Sequence, residues 1–337
     1  MLGECGSGRY KVMESCLSAS RGRVSGAAGV CGFPFQSSGS GRSMKRSLYF
    51  LGCPVWASSR WQGNLFTRHA RRDQWLSQYS QVFNAVEGNS TFYALPSKDT
   101  VQRWVDATQP PFRFVCKFPQ AISHQHRLVN ADAETAAFLD ILRILDDGQR
   151  LGPAFLQLPP TFSASHLDDL AAYLRRLPTE FPYAVEVRHP DFFDQGKHER
   201  SLNQLLAELR IDRVIFDSRP LFSAPASDDH ERGSQSRKPQ LPVHRVVTAG
   251  SPIIRLIGRN DVRSVVPWIR EWAPTVAGWI ISGRVPYVFT HTPDDLYAPQ
   301  LARRFHDELR QHTHRVTAME PWPGEMIQSS QRQLALF

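Results

Sequence analysis

The feature that most narrows the possible folds is a repeating alternation. Short apolar runs lie near residues 48–52, 82–87, 112–117, 153–158, 183–188, 213–217, 252–257 and 286–291. Between them lie longer segments with helical periodicity, near 70–80, 98–107, 132–146, 166–177, 200–210, 262–272 and 294–311. Strands alternating with helices are the pattern of a parallel α/β fold. Eight strands and seven crossovers predict a single (β/α)8 TIM-type barrel over residues 45–312. Ser97 and Ser165 stand where the second and fourth helices need an N-cap. A doubly wound open sheet is the alternative. It would carry a glycine-rich phosphate loop after the first strand, and Gly52-Cys53-Pro54-Val55-Trp56 is not one.

The segments outside this repeat differ in character. Residues 1–44 hold nine of the 21 glycines and nine serines, without sustained periodicity. They read as a disordered extension or as sequence upstream of the true start at Met44. Residues 224–242 are polar and rich in Pro, Gly and Ser, so a mobile insertion is expected there, either a lid or a solvated loop. Residues 313–337 read as an irregular tail. The formal charge of +8 divides into +3 on residues 1–44 (five basic, two acidic) and +5 on the remainder. That balance is compatible with a polyanionic partner without requiring one. No apolar run is long enough to span a bilayer. Five cysteines, only Cys53 and Cys116 of them in the body, predict reduced cytosolic thiols and a cytoplasmic protein.

In a parallel barrel the functional groups sit at the C-terminal strand ends. Polar residues recur there: Glu87 and Asn89, Lys117, Gln157, Glu186 and Arg188, Asp217, Arg255 within the seventh strand, and His291. Buried parallel strands are ordinarily near-continuous apolar runs, so ionisable residues at one end of six of them predict a site. The competing reading is a structural network, with Glu186 neutralising Arg188 and Lys117 paired with Glu87. Tyr93 and His124 are candidate ligand contacts, and Trp56 and Trp61 candidate pocket walls; His126 and His189 read as solvent-facing or capping groups.

Several of these residues fall in recognisable blocks. Phe83-x-x-Val86-Glu87-x-Asn89-Ser90-Thr91-Phe92-Tyr93-x-x-Pro96 resembles the hallmark of the domain-of-unknown-function 72 family, also called YecE-like. Trp104, Thr108 and Pro110, then Phe112-x-Phe114-x-x-Lys117-x-Pro119 and Ile122-x-His124, are similar to a second block. Gly152-Pro153-x-Phe155-Leu156-Gln157-Leu158-Pro159-Pro160-x-Phe162 and Val185-Glu186-x-Arg188-His189 are similar to two more. The resemblance spans roughly residues 48–311 and implies a TIM-type barrel, but no particular reaction. Two departures stand out. Arg255-Leu256-Ile257-Gly258 keeps the family's strand-seven arginine but not the histidine that usually follows, and Thr290-His291-Thr292 stands where an Asn-Asn pair is usual.

Chemically, Lys117, Arg188 and Arg255 facing one mouth suit a small anionic or nucleic-acid-derived ligand. If burial separates their pKa values, Glu87 and Glu186 would serve as acid and base beside Lys117. Hydrolysis or isomerisation of a sugar phosphate or phosphodiester is then the leading expectation, with no cofactor. A divalent metal on Glu87, Glu186, Asp217, His124 and His291 is the second version, disfavoured by the adjacent cations and by the lack of a close paired-ligand motif. A non-catalytic anion sensor is a further alternative. Finally, Gln333-Leu334-Ala335-Leu336-Phe337 resembles the pentapeptide with which bacterial replication and repair proteins dock on the sliding clamp. Gln333, Leu334, Leu336 and Phe337 would be the partner contacts of a DNA-maintenance accessory protein.

Overall fold

The computed structural model describes residues 47–326. The extension at 1–44 and the terminal pentapeptide 333–337 lie outside the described residues. Eight strands appear in the predicted places: β1 Phe50–Gly52, β2 Ala85–Gly88, β3 Arg113–Cys116, β4 Ala154–Gln157, β5 Tyr183–Glu186, β6 Asp212–Asp217, β7 Ile253–Ile257 and β8 Tyr287–His291. The helices are α1 Trp75–Val82, the short α2 Ser90–Tyr93, α3 Lys98–Asp106, α4 Asp132–Asp147, α5 Leu167–Arg176, α6 Lys197–Glu208, α7 Asp229–Arg237, α8 Val266–Ile281 and α9 Ala298–His312. The fold is α/β with a curled parallel sheet. Six strands pair in the order β1-β8-β7-β6-β5-β4, and β2 pairs with β3. No described helix is long and apolar enough to cross a membrane, and Cys53 and Cys116 are buried free thiols.

The β2–β3 pair meets its neighbours through sparse contacts. On one side Glu87 N donates to Cys53 O at 3.1 Å. There side chains replace ladder bonds: Asn84 accepts from Leu51 N at 2.7 Å and donates to Tyr49 O at 2.9 Å. The Tyr79 hydroxyl accepts from Cys53 N at 2.7 Å and donates to Ala85 O at 3.0 Å. Gly52 lies so close that a Cβ would fall 2.0 Å from Ala85 O, which excludes any side chain. On the other side, Phe114 N donates to Arg150 O at 2.8 Å and Phe118 N to Phe155 O at 3.0 Å, around single bridges Phe114–Leu151 and Lys117–Phe155.

Side chains alternate faces along a strand, which sorts the interior. Phe50, Ala85, Val115, Phe155, Ala184, Val214, Ile253, Tyr287 and Phe289 form an apolar cluster inside the curl. The outer faces pack on the helices in a larger core. Two residues further along each strand, the inward positions become Glu87, Lys117, Gln157, Glu186, Phe216, Arg255 and His291. The floor is thus apolar and the layer above it charged.

Three local expectations are corrected. Ser97 does cap α3, accepting from Thr100 N at 3.3 Å. Ser165 caps nothing: a turn at Ala164–His166 intervenes before α5, and Ser165 Oγ bonds Ser163 and His166 instead. The insertion 224–242 is not irregular throughout. Asp228 caps α7, accepting from Glu231 N at 2.7 Å, and Glu231 is buried against Arg259, which donates to it at 3.2 and 2.6 Å. Chain past α9 also folds back as far as it is described: Trp322 is buried under the Arg303 guanidinium, and Arg303 pairs with Glu325 at 2.8 and 2.9 Å.

Candidate functional site

The charged layer is organised around Arg255, carried inward by β7 between Ile253 and Ile257. Its guanidinium donates to both oxygens of Glu87, at 2.8 and 2.7 Å, and to Glu186 at 2.7 Å. Arg188 donates to the other Glu186 oxygen at 2.8 Å and to Gln157 Oε1 at 2.7 Å. Asn89 donates to Glu87 at 2.6 Å and to Pro54 O at 3.2 Å, while His291 Nε2 lies 3.1 Å from Glu87 Oε2 and, facing a carboxylate, is the protonated nitrogen. Glu87, Glu186, Arg255, Arg188, Gln157, Asn89 and His291 thus form one network spanning five strands or strand ends. Lys117 is not paired with Glu87; the carboxylate is already satisfied.

Electrostatics follow from this wiring. Burial pushes the Glu87 carboxyl up, but Arg255 and His291 outweigh it and hold the group well below its usual range. Glu186 is likewise opposed by burial yet drawn down to about 2 by Arg255 and Arg188. Both carboxylates therefore stay ionised, and the separation of acid and base between them does not occur. Burial lowers His291 to about 4, with Glu87 opposing.

Lys117 sits differently. It is 7% exposed, and among the described residues its ammonium makes no hydrogen bond or ion pair. Its Nζ lies 3.6 Å over the Phe92 ring. Burial, then the charge of Arg255 and that of Arg188, bring it down to about 7 against the opposing pull of Glu186 and Glu87. The ring face favours the charged form by about 1–2 kcal/mol. That is less than the several kcal/mol separating an amine titrating near 7 from free lysine. His124 meets the edge of the same ring at 5.1 Å, bonds Ser123 Oγ at 2.8 Å, and is lowered to about 4 by burial and by Lys117 and Arg188.

Two predicted residues are not brought to the cluster. Asp217 lies one residue out of phase with Val214 and Phe216, so it faces the helical layer. It accepts from the Trp272 indole at 2.8 Å and pairs with Arg219 at 2.7 Å. Tyr93 is 74% exposed and lines a surface cleft with Leu95, Pro119 and Gln125. Trp61 is buried, donating to Leu296 O at 3.1 Å, and Trp56 stacks edgewise on Trp104. His189 caps a turn, accepting from Asp191 N at 3.2 Å, and His126 lies 3.4 Å from Glu134 at the surface. Among the described residues no three His, Cys, Asp or Glu side chains converge to hold a metal.

Two residues that the sequence reading passed over do approach the cluster. Lys238 follows α7; the next residue is tied down where Ser218 Oγ donates to Pro239 O at 2.8 Å, just past β6. Leu241 packs on the patch formed by Phe216, Leu221 and Ile257. Burial and the charges of Arg255 and Arg188 lower Lys238 to about 8, with Glu87 and Asp295 opposing. Its ammonium too makes no hydrogen bond or ion pair among the described residues, although its backbone N–H donates to Ser234 O at 2.9 Å. Asp295 is raised to about 6 by burial, with Lys238 opposing. One signal pointed to the lysines: the chain uses 34 arginines and only six lysines.

Comparison with known proteins places this geometry in a family. A family model described as "Protein of unknown function DUF72" matches residues 50–325. The Escherichia coli (strain K12) "UPF0759 protein YecE" is 39% identical over 278 residues, 82% of this chain and 98% of that protein. The Bacillus subtilis "UPF0759 protein YunF" is 25% identical over 174 residues, 50% of this chain and 60% of that protein. A DUF72 family protein from Enterococcus faecalis aligns with a TM-score of 0.59 at 17% identity, covering 78% of this chain and 95% of its own. One from Thermotoga maritima aligns with a TM-score of 0.56 at 22% identity, covering 78% and 99%. The two solved structures speak to the fold, and the matched residues to descent: the chain belongs to the DUF72, YecE-like family.

Proposed function

We propose that the eight strands close into a (β/α)8 barrel through the two sparse seams, and that its C-terminal mouth binds a small anionic ligand, a phosphate ester or a carboxylate. One observation carries this reading. Arg255 is spent on two buried carboxylates, whereas Lys117 and Lys238 approach the same layer without an acidic partner. A buried cation such as Lys117, and a half-buried one such as Lys238, are costly until a counter-charge arrives. An anion between Lys117, Arg188 and Lys238 supplies it. Glu87 and Glu186 then hold Arg255 and Arg188 in place, and the titrating groups for any proton transfer are Lys117 and Asp295.

The test is thermal stabilisation of the full chain by inorganic phosphate at constant ionic strength. Binding at a hundred times Kd adds about 2.7 kcal/mol of stability. Lys238→Ala, which removes no hydrogen bond described above, should lose most of that gain. Equal stabilisation of Lys238→Ala and the unaltered chain, or none in either, removes the reading.

A further inference from the structure

An anion site asks only for charge, and arginine supplies that with better hydrogen-bond geometry than lysine. This chain takes arginine at 34 of its 40 basic positions, yet two of its six lysines approach the charged layer. Lysine differs in one respect that matters here: it can lose its proton and become a nucleophile. Lys117 has the surroundings for it. No carboxylate or hydrogen-bond acceptor among the described residues holds its Nζ, an aromatic face lies 3.6 Å below it, and the nearby Arg255 and Arg188 penalise a third positive charge. Lys238 is the more exposed of the two and arrives on the insertion, beside Pro239, with Arg188 facing the same layer.

We propose that Lys117 is an imine-forming nucleophile toward a small aldehyde or ketone that carries an anionic group, the anion being held by Arg188 and Lys238. The assignment of the anion rests on the function proposed above; the assignment of the nucleophile rests on the surroundings of Lys117. The step balances without a further reagent. The neutral Nζ lone pair forms a bond to the carbonyl carbon as the C=O π pair moves onto oxygen, and one Nζ proton transfers to that oxygen. The carbinolamine then expels the oxygen with the remaining Nζ proton as water, and a C=N double bond is left. Protonation of the imine nitrogen gives an iminium that withdraws electrons from the adjacent C–H or C–C bond. Glu87 and Glu186 are positioning residues in this scheme, because they fix the arginines and touch no substrate atom. Lowering of the Lys117 ammonium to about 7 makes a large share of the amine available near neutral pH.

The experiment is reductive trapping on the intact chain. Glycolaldehyde phosphate and sodium cyanoborohydride are added at pH 7.5, and labelling is mapped by peptide mass spectrometry over the six lysines. The expected result is labelling of Lys117 at least tenfold faster than of the exposed Lys98, with a pH midpoint near 7, and slower labelling by glycolaldehyde without the phosphate. Labelling distributed according to exposure, preferential labelling of Lys238, or an inert Lys117 overturns the proposal. The two readings fail separately. Phosphate stabilisation without Lys117 labelling leaves the anion site and removes the nucleophile. Fast Lys117 labelling that is indifferent to the phosphate group and to competing inorganic phosphate leaves the nucleophile and removes the anion site.

Discussion

Arg255 and Glu87 face each other in a two-pronged pair, with Nε–Oε2 at 2.8 Å and Nη2–Oε1 at 2.7 Å, and the third prong of the same guanidinium reaches Glu186 at 2.7 Å. One cation thus satisfies two buried anions from strands that are not neighbours. Such wiring is costly to interrupt, because each group left behind is a buried charge without a partner.

Arg255→Met should therefore destabilise the fold by about 3–5 kcal/mol. Urea unfolding followed by circular dichroism measures this directly. A midpoint unchanged from the unaltered chain would show that the two carboxylates find other partners or simply protonate.

Acid should unfold the protein through the same pair. Glu186 titrates at about 2 in the fold, and Glu87 lies well below its ordinary value. In both cases the folded pKa is depressed, so the stabilisation is fully present above the unfolded value near 4.3 and is lost as pH falls toward 2. Glu186→Gln should flatten the pH dependence of stability within that window and leave its slope above pH 5 unaltered. An identical slope in the acid window would remove Glu186 as its source.

Lys117 gives a slope of the same sign in a higher window, but here it is the charged form that the fold disfavours. Its folded pKa, about 7, lies below that of the unfolded chain near 10.4, so the unfolded state binds more protons between the two values. Stability contributed at this position rises as pH rises through that window. Lys117→Met, which keeps the volume and removes the charge, should be more stable than the unaltered chain at pH 7 and show a shallower rise toward pH 10. A less stable variant at pH 7 would mean that the ammonium is compensated in the fold.

The buried carboxylate of Glu231 is the polar centre of the insertion, accepting from Arg259, Ser227 and Asn260. Glu231→Ala strips Arg259 of its carboxylate and should loosen α7 by about 3 kcal/mol of local opening energy. Hydrogen exchange over residues 229–237 should accelerate, and phosphate should stabilise the variant as weakly as it does Lys238→Ala. Unchanged exchange would place the anchoring of the insertion elsewhere, in the Leu241 contact or the Ser218–Pro239 bond.

A methyl group at position 52 has no room. Gly52→Ala places a Cβ 2.0 Å from Ala85 O, so β1 must move away from β2. Crowding of this kind costs about 1–3 kcal/mol or more, read as a fall in the urea midpoint.

The sequence showed the strands because buried parallel strands are apolar runs bounded by turns, and eight of the nine chosen polar strand-end positions around the interior share the inward parity. Asp217 did not, and nothing local says so: parity in β6 is set by Val214 lying inside, which is a tertiary fact. Helix α7 was illegible because its residues, Asp-His-Glu-Arg-Gly-Ser-Gln-Ser-Arg, have no apolar stripe; a buried carboxylate and its arginine, 28 residues apart, take the place of that stripe. Lys238 was missed for the same reason, since a polar stretch reads as solvent until Ser218 is known to hold it. Ser165 was misread because Ser163 and Ser165 bond each other at the turn before α5, leaving neither for a helical amide.

The side-chain stitching between β1 and β2 has a mechanical consequence. Strands β2 and β3 form a leaf joined to the rest of the sheet by few backbone bonds along either margin. Glu87 stands on that leaf, and its partners Arg255 and His291 stand on β7 and β8. The charged layer is therefore a latch across the parting line, above the apolar floor. Anything bound between Lys117, on the leaf side, and Lys238, on the opposite side, adds a second latch. Occupancy of the mouth and slow opening of the leaf are then two readings of one equilibrium, and amide exchange at Leu51 and Glu87 would register a ligand that never touches either residue.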